Sequence, residues 1–391
     1  MPKLYAPYIV ACTSHIKQEF NTSVLDKLFP NLKEKHTINP VYKDMSYPRT
    51  RTILIDTDKL PVRKANNNLF EKIVRKWQDN TVHAFLTDYS GLSEEDKLKE
   101  FYDVFKIPKA SGGYRTLEAP KGLLKENMYY VLDLLKLFGA VYHDCAYAYI
   151  PKRDCRKALQ RHLDNKSCWF LKLDLKDFFG SINPEFLEKS LNQLLVFNEA
   201  YLNSELKETF FKTIKEIAFL NNKLPQGTPL SPILTNMLMV PIDHAIRQAL
   251  PKEYIYTRYA DDLLISKRTD FSNDKESIVN TIKDILKDTP LKINDTKTRY
   301  GSKNGKNFNL GIMYNKDMCL TVGHRRKRKL KAMVHAYMTS DPTLEDTRSL
   351  AGELSYLHNI EPDYYRKIIV YFNNKYKCDI MNILHTNLKN L

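Results

Sequence analysis

Two adjacent carboxylates, Asp261 and Asp262, stand between two short segments that are typical of β-strands. Residues 254–259 are rich in aromatic and β-branched side chains, and an apolar run follows at 263–266. The pattern predicts a tight hairpin that carries both acids at its tip. An isolated Asp-Asp pair is usually part of a solvated turn. A catalytic interpretation therefore needs a further carboxylate elsewhere in the chain.

Asp174 supplies that carboxylate, because it ends an apolar run that begins at Cys168 and predicts a buried strand. A charge inside such a strand is costly, whereas a strand end is where an open sheet presents functional groups. The three acids can converge if this strand and the hairpin are neighbours in one sheet. Convergent carboxylates bind two divalent cations about 4 Å apart, favour Mg²⁺ and suit in-line phosphoryl transfer.

The elements that must position these acids are predicted from turn residues and apolar periodicity. Gly112 and Gly113 separate two strand-like segments and predict a hairpin at 105–118, which carries Lys109 and Arg115. Proline-rich residues 224–232 predict a rigid loop before a helix that ends near Leu250. Other predicted helices are 24–29, 69–77, 93–105 with Ser93 as its N-cap, 121–138, 184–195, 203–220 and 274–288, with a strand at 52–56 and a second hairpin at 308–322. The apolar face predicted for 121–138 consists of Leu124, Met128, Val131, Leu132, Leu135 and Phe138. The last third is predicted to be helical, with one apolar face of Leu330, Met333, Val334 and Tyr337 and another of Leu350, Leu354 and Leu357.

The charge balance favours a polyanionic partner. The chain of 391 residues has a formal net charge of +15, with 24 Tyr and 18 Phe. Aromatic rings beside cations suit base stacking and phosphate contact, which favours nucleic acid over a membrane surface. A basic run extends from His324 to Lys331. Such a run is usually a solvated face, but at the start of a helical module it can grip a duplex backbone.

Cysteine usage and hydropathy indicate the setting. The six cysteines include no Cys-x-x-Cys pair, so neither a zinc site nor a disulfide framework is predicted, and we expect a reducing, cytoplasmic environment. The long uncharged stretch at 224–242 contains four prolines and several polar residues, which a bilayer-spanning helix tolerates badly. We therefore expect no membrane partner. The first residues lack the pattern of a signal peptide.

Several motifs, in order along the chain, resemble those of the reverse transcriptases. SGGYRTLEAP at 111–120 is similar to the fingers motif, LKLDLKDFFGSI at 171–182 to the first acidic motif, and LPQGTPLSPILTN at 224–236 to the template-and-nucleotide loop. YADD at 259–262 is a form of the catalytic box, and NLGIMYN at 309–315 resembles the primer grip. The bacterial branch with retron and defence-associated enzymes fits best. This chain departs from that branch at two elements. Of the Asn-Ala-x-x-His element it keeps only His162, and residues 309–311, Asn-Leu-Gly, stand where the branch has Val-Thr-Gly.

The resemblance implies an α+β, right-hand polymerase fold with fingers, a palm built on an antiparallel sheet, and a helical thumb. The apolar spacing of the first hundred residues predicts, in addition, a mostly helical N-terminal extension. The expected boundaries are 1–100 for the extension, 101–165 for the fingers with part of the palm, 166–322 for the palm with a helical fingers insertion at about 184–223, and 323–391 for the basic thumb.

The resemblance also implies roles for individual residues. Asp174, Asp261 and Asp262 would be catalytic and, with Leu175, would form the metal site for two Mg²⁺ ions, with Mn²⁺ as a substitute. Lys109, Arg115, Gln226 and Gly227 would contact the incoming nucleotide, Phe179 would exclude ribonucleotides, and Lys297 would protonate pyrophosphate. The residues expected to bind nucleic acid are Tyr259, Gly311, Arg325, Arg326, Lys327 and Arg328.

Simpler interpretations stay open for some of these residues: Phe179 as a core aromatic, Gln226 as a loop-capping amide, and Lys297 as a solvated cation. The expected activity is RNA-directed DNA synthesis from dNTPs on a partner noncoding RNA, in bacterial antiphage defence. The cDNA would start on a nucleic-acid or a protein hydroxyl, and a second defence protein or a second copy of the chain would join. Alternatives are a group II intron-like enzyme, a template-independent DNA polymerase, and an RNA-binding scaffold with a vestigial site.

Overall fold

The computed structural model describes residues 3–10, 49–56, 82–109, 112–137, 142–194, 197, 204–303, 310–315, 317 and 319–389. The helices predicted at 24–29 and 69–77 lie outside these residues. The strands are β1 (Lys3–Val10), β2 (Arg49–Asp56), β3 (Tyr102–Pro108), β4 (Tyr114–Pro120), β5 (Trp169–Asp174), β6 (Ile255–Tyr259), β7 (Asp262–Lys267), β8 (Arg299–Ser302), β9 (Met313–Tyr314) and β10 (Leu320–Thr321).

The helices follow the same order along the chain. They are α1 (Val82–Ser90), α2 (Glu94–Phe101), α3 (Gly122–Leu137), α4 (Cys155–Asp164), α5 (Pro184–Leu191), α6 (Ser204–Ala218), α7 (Ser231–Leu238), α8 (Val240–Ala249), α9 (Lys275–Leu286), α10 (Gly323–Thr339), α11 (Leu344–Ile360), α12 (Pro362–Tyr376) and α13 (Ile380–Lys389). A 3₁₀ turn spans Asp295–Lys297.

The chain divides into two compact units. The first contains Met1–Pro151, Asp174–Pro251 and Glu276–Thr296, and the second contains Lys152–Leu173, Lys252–Lys275 and Lys297–Leu391. The chain therefore passes from the second unit to the first at the end of β5.

The first unit contains the β3–β4 hairpin and a set of packed helices. Its strands pair from Tyr102↔Pro120 to Pro108↔Tyr114 around the predicted Gly-Gly turn, where both glycines have positive φ. The apolar face predicted for α3 is confirmed, since Leu124, Met128 and Leu135 are fully buried. Helix α3 contacts α6, and the buried Phe197 ring stacks on Phe210 with 5.3 Å between centroids.

The second unit is built on a four-stranded sheet in the order β6-β7-β5-β8. β6 and β7 pair antiparallel from Ile255↔Ser266 to Tyr259↔Asp262, and β5 pairs antiparallel with β8. Phe170 and Leu264 from the sheet join one hydrophobic core with residues of α10 to α13. The core faces predicted for the last third are confirmed, because Leu330, Val334, Tyr337, Leu350, Leu354 and Leu357 are buried there.

Several element boundaries differ from the predicted ones. The helix predicted to run to Leu250 is divided into α7 and α8, because Pro241 lies in the first turn of α8 and cannot continue the hydrogen bonding of a preceding helix. The helix predicted at 93–105 ends at Phe101, where β3 takes over, although its predicted N-cap is confirmed by the bond from Asp96 N to Ser93 Oγ at 3.1 Å. In the described part of the second predicted hairpin, the paired strands are β9 and β10, with two residues each.

The extension predicted to be mostly helical includes an antiparallel pair, β1 and β2, with a register from Lys3↔Asp56 to Val10↔Arg49. β2 contains the predicted strand at 52–56, whereas β1 was not predicted. Among the described residues, no helix is both long and apolar enough to cross a membrane.

Candidate active site

The tip of the β6–β7 hairpin is a two-residue turn at Ala260 and Asp261. Tyr259 and Asp262 form the last cross-strand pair before the turn, as predicted. Ala260 has φ +55° and is only 7% exposed. A non-glycine residue in this conformation is uncommon, and such backbone strain is concentrated at functional sites. Both acids are half-buried and therefore lie at an accessible edge of the sheet.

Arg258 braces this turn from inside the protein. Its side chain is 1% exposed, and its Nη1 donates to the Ala260 carbonyl at 3.2 Å. A buried hydrogen bond from a charged donor is strong and directional. The guanidinium therefore helps to hold the left-handed residue that turns the chain between the two acids. The sequence interpretation missed Arg258, since a charge inside a strand gives no indication of a bond to the following turn.

Lys172 connects β5 to the tip of the hairpin. Its Nζ lies 3.0 Å from Asp262 Oδ1. At the other end of the same two strands, Cys168 N donates to Lys267 O at 3.0 Å, so β5 and β7 run antiparallel. Side chains alternate along a strand, which puts Asp174 on the face of β5 that also carries Lys172.

Asp174 ends β5, as predicted, and its side chain is 7% exposed. Its carbonyl accepts a hydrogen bond from Asn294 N at 2.8 Å, and its Oδ2 lies 3.4 Å from Asn294 Nδ2. Leu175 forms a bridge with Ile293 and is buried, so its aliphatic side chain offers no ligand atom. Only the main-chain carbonyl of Leu175 has the chemistry of a metal ligand.

The predicted donors are of the chemical kind that suits a hard divalent cation. Carboxylates and a main-chain carbonyl are the oxygen ligands that Mg²⁺ prefers, and Mg²⁺ typically takes one or two carboxylates and completes its shell with water and substrate phosphates. Within the described ranges, no group of three or more His, Cys, Asp or Glu side chains is arranged to hold a metal by itself. Among the residues that the structure describes, Asp174, Asp261 and Asp262 are therefore not brought together as a metal cluster, and their convergence stays a prediction.

The loop with Gln226 and Gly227 is docked against β4. Glu118 N donates to Gln226 O at 2.7 Å, and Gln226 N donates to Glu118 Oε2 at 3.3 Å. Gly227 has φ +113°, and a Cβ there would meet the Glu118 carbonyl oxygen at 3.3 Å. Burial raises the pKa of the Glu118 carboxyl group. The sequence analysis identified the motif that contains Glu118 but did not predict that Glu118 holds the Gln226 loop.

Hydrogen bonds inside the same loop make it rigid. The Ser231 hydroxyl donates to the Pro225 carbonyl at 2.7 Å, and Ser231 N donates to Thr228 Oγ1 at 3.1 Å. Asn236 on α7 donates to the Ala148 carbonyl at 2.9 Å. Because the backbone makes these bonds, the half-buried Gln226 side chain is not needed to cap the loop.

The residues predicted to contact the nucleotide lie in different settings. Lys109 and Arg115 are exposed beside the turn of the β3–β4 hairpin. Phe179 is half-buried, and its ring meets that of the exposed Tyr149 edge to face, with 6.5 Å between centroids. Phe179 is therefore not a core aromatic. Lys297 is exposed at the end of the 3₁₀ turn.

Tyr259 and Gly311 were predicted to bind nucleic acid. Tyr259 is half-buried at the end of β6. Gly311 is exposed, has φ +78° and lies near the Tyr356 hydroxyl, which a Cβ on Gly311 would meet at 3.6 Å. The positive φ explains a glycine at this position.

The basic residues of α10 divide into two groups. Arg326 donates to Glu353 at 2.8 Å and its guanidinium stacks 4.0 Å from the centre of the Tyr356 ring. Lys327 pairs with Glu361 and lies 4.1 Å above the Tyr364 ring. By contrast, the residues that share the exposed side are His324, Arg325, Arg328, Lys329 and Lys331.

Comparisons with known proteins identify the family of this chain. A family model described as "Reverse transcriptase (RNA-dependent DNA polymerase)" matches residues 107–322. The retron Ec83 reverse transcriptase of Escherichia coli is 28% identical over 283 residues, which cover 68% of this chain and 85% of that protein. The retron Ec73 reverse transcriptase of the same species is 28% identical over 285 residues, which cover 70% and 86%.

Among solved structures, a telomerase from Candida tropicalis in complex with a fragment of telomeric RNA has a TM-score of 0.44 and 13% identity, and the match covers 73% of this chain and 58% of that one. This likeness is weak and carries no argument about the site. The family match covers more than half of the chain and contains all three predicted acids. This chain therefore belongs to the reverse transcriptases, the RNA-directed DNA polymerases, and has retron reverse transcriptases among its relatives.

Proposed function

We propose that Asp174, Asp261 and Asp262 form the catalytic site of this polymerase and that the enzyme copies a partner noncoding RNA into DNA. One observation supports the site above all others, namely the ion pair that Lys172 makes with Asp262 from the face of β5 that also carries Asp174. The pair puts a cation of the protein beside an acid of the hairpin tip, which supports a role for this tip in binding cations.

Two Mg²⁺ ions bound there, or Mn²⁺ as a substitute, would lower the pKa of the primer hydroxyl and neutralise the charge of the triphosphate. Two residues of the chain would hold the carboxylates ready for metal binding. Asn294 orients the Asp174 carboxylate, and the Lys172 ammonium keeps the charge of Asp262 compensated until a cation replaces it. The main-chain carbonyl of Leu175 is the fourth ligand in the proposal.

In the proposal, the incoming nucleotide is contacted from the β3–β4 hairpin, from the loop that carries Gln226, and by Phe179 and Lys297. Lys109 and Arg115 are exposed cations on a short hairpin and suit contact with a triphosphate. Gln226 presents its side chain from a loop whose backbone is already bonded, which suits contact with a base. Phe179 offers a partly exposed ring against which a 2′-hydroxyl would clash. Lys297 supplies a proton to pyrophosphate.

The exposed side of α10 is the proposed RNA-binding surface of the thumb. Arg325 and Arg328 lie three positions apart and therefore on one side of the helix. Arg326 and Lys327 are paired with acids of the same unit, so we assign them to thumb stability instead. Tyr259 and Gly311 remain candidates for contact with the nucleic acid.

The proposed biological role is antiphage defence in bacteria, which is an analogy to retron relatives. The partners would be a noncoding RNA template, its cDNA product and dNTPs, with a second defence protein or a second copy of the chain. The cysteines of the described segments, Cys145, Cys155, Cys168, Cys319 and Cys378, are free thiols, which supports a reducing cytoplasmic setting. The proposed fingers, palm and thumb keep the boundaries given above.

Sequencing the nucleic acid that copurifies with the protein tests this proposal. The wild-type chain should carry one abundant RNA together with DNA complementary to it. The Asp261→Asn, Asp262→Asn double variant keeps the size of both side chains and should carry the RNA without the DNA. RNA of random sequence, or equal amounts of complementary DNA in both preparations, would contradict the proposal. The junction between cDNA and its primer would identify the priming hydroxyl.

A further inference from the structure

A buried histidine connects the two strands of the hairpin that carries Asp261 and Asp262. His162 lies on α4 and is 0% exposed. Its Nδ1 is 2.5 Å from Ser266 Oγ on β7, and its Nε2 is 2.8 Å from Thr257 Oγ1 on β6. One ring therefore bridges both strands, from a helix about a hundred residues earlier in the chain.

The neighbouring hydrogen bonds determine which ring nitrogen carries the proton. The Ser266 hydroxyl donates to Ser167 Oγ at 2.8 Å, so its oxygen is left to accept from His162 Nδ1–H. Nε2 is then the acceptor for the Thr257 hydroxyl. Ser167 Oγ also accepts from Asn165 Nδ2 at 3.0 Å. The result is a directed chain of hydrogen bonds from Thr257 through the imidazole and Ser266 to Ser167.

This chain requires an uncharged ring, because an imidazolium has two donors and no acceptor. Burial, together with the nearby positive charge of Arg161, lowers the pKa of His162 to about 3. Thr257 and Ser266 are themselves 2% and 0% exposed. Water cannot easily replace either bond, so the loss of one partner leaves a buried polar group unpaired.

The bridge lies on the face of the hairpin that also carries Asp262. In the register of β6 and β7, the pairs Tyr259↔Asp262, Thr257↔Leu264 and Ile255↔Ser266 follow one another at intervals of two residues. Residues two apart share a face, and each residue adds about 3.3 Å. The bonds of His162 are therefore about 7 to 13 Å from Asp262 along the same face of the hairpin, close enough to set the tilt of the tip.

The bridge restricts the movement of β6 more than that of β7. It is an edge strand, since the sheet order is β6-β7-β5-β8 and its other side has no strand neighbour in the described sheet. Helix α4 contacts β6, and Thr257 is the point where a side chain of that helix is bonded to the strand. An edge strand bonded in this way cannot shift along or rotate away from β7 without breaking buried hydrogen bonds.

We propose that His162 is a positioning residue that fixes the Asp261–Asp262 tip through Thr257 and Ser266, and so sets the geometry of metal binding and nucleotide addition. The inference depends on the proposed role of the two acids. A core histidine that only stabilised the fold would affect unfolding but not the chemistry of correctly folded molecules.

Thr257→Val and Ser266→Ala remove one hydroxyl each with little change in size and leave the catalytic acids untouched. Thr213→Val is the matched control, because Thr213 is also buried, on α6, and its hydroxyl donates only to the Thr209 carbonyl of the same helix at 3.0 Å. Each protein is assayed for kcat per titrated active site, for the KM of dNTP and for the Kd of Mn²⁺ by electron paramagnetic resonance.

We expect each hairpin variant to lower kcat by about tenfold, since small misplacements of catalytic groups have effects of this size or larger. The Kd of Mn²⁺ should rise severalfold and the KM of dNTP should change little. Thr213→Val should match the wild type in kcat and Kd. Wild-type kcat and Kd in both hairpin variants, with only a lower Tm, would overturn the inference and leave His162 as a structural core residue.

Combined substitutions test the direction of the bonds. His162→Asn keeps a donor near the place of Nδ1 and loses the acceptor at Nε2, whereas His162→Gln keeps an acceptor near the place of Nε2. Thr257→Val should therefore have no further effect in a His162→Asn protein but should still lower kcat in a His162→Gln protein. Equal effects in both backgrounds would contradict the assigned bonds. Retained activity in the Asp261 and Asp262 variants would overturn the proposed function and this inference with it, whereas loss of activity in those variants with wild-type kcat and Kd in Thr257→Val and Ser266→Ala would overturn this inference alone.

Discussion

The ammonium of Lys172 lies 3.0 Å from the carboxylate of Asp262, with both side chains about one-quarter exposed. This relationship joins two strands whose sequences are far apart, and it puts a cation of the protein where a metal ion is proposed to bind. Binding of a metal at the proposed site would therefore compete with an internal ion pair.

We expect Lys172→Gln to lower the Mg²⁺ concentration that gives half-maximal activity. Partly exposed ion pairs contribute about 0.2–1 kcal/mol, which corresponds to a decrease of up to about fivefold. Lys172→Arg keeps the charge and serves as the control. A titration of nucleotide incorporation against Mg²⁺ gives both values. An unchanged or higher requirement in Lys172→Gln would show that Lys172 does not compete with the metal.

Basic residues of α10 should differ in their effect on RNA binding. Arg325→Gln with Arg328→Gln should weaken binding and reduce the slope of log Kd against log salt by about 0.7 to 0.9 for each lost phosphate contact. The measurement is a series of binding titrations over a range of salt concentrations.

The matched control removes the same charge from the same helix. Arg326→Gln with Lys327→Gln breaks the pairs with Glu353 and Glu361, so it should lower Tm while leaving most of the salt slope intact. Equal slopes for the two double variants would mean that net charge, not the exposed side of α10, determines binding.

Phe179→Ala should admit ribonucleotides, because the ring is partly exposed and its loss would leave room for a 2′-hydroxyl. The ratio of kcat/KM for dNTP to that for the matching rNTP should fall by at least tenfold. Phe178→Leu is the control, since Phe178 is 2% exposed and its ring lies beside that of Phe179. Discrimination that persists in Phe179→Ala would place the sugar filter at another residue.

Lowering the pH should reduce the free energy of unfolding of the wild-type protein more than it reduces that of the His162→Gln variant. The folded-state pKa of His162 is lowered to about 3, so between about pH 6.5 and 3 the unfolded chain binds a proton that the folded chain does not. Stability from this residue is complete above pH 6.5 and falls by about 1.4 kcal/mol for each pH unit below it.

Denaturant titrations at pH 6.5 and pH 5 measure this effect. The free energy of unfolding of the wild type minus that of His162→Gln should decrease by about 2 kcal/mol between the two pH values. Because other groups titrate in both proteins, the difference isolates His162. A constant difference would mean that the ring is accessible to protons in the folded state.

Much of the site was predictable because it depends on local pattern. The strand before Asp174, the turn at Asp261, the Gly-Gly hairpin and the Ser93 cap all follow from residue types over a few positions, and the structure confirms them. The wrongly predicted helix boundary also has a local cause. Pro241 divides a helix whose apolar pattern continues across the break.

The contacts that organise the site were not predictable, because they join distant segments. Nothing near Lys172 indicates its pair with Asp262, and nothing near Glu118 indicates that the backbone of Gln226 docks on it. His162 was visible only as the remnant of a family element, while its partners Thr257 and Ser266 are ordinary strand residues. Arg326 and Lys327 resemble the other cations of their run until the tertiary structure pairs them.

The central claim is that Asp261 and Asp262 carry the chemistry of DNA synthesis on RNA. Its most direct test is incorporation of a single labelled dNTP on a primed RNA template by the Asp261→Asn, Asp262→Asn double variant, with binding of the primed template measured in parallel. The account predicts that template binding is retained while incorporation falls by at least a thousandfold. Incorporation at the wild-type rate by a variant that binds the template normally would contradict it.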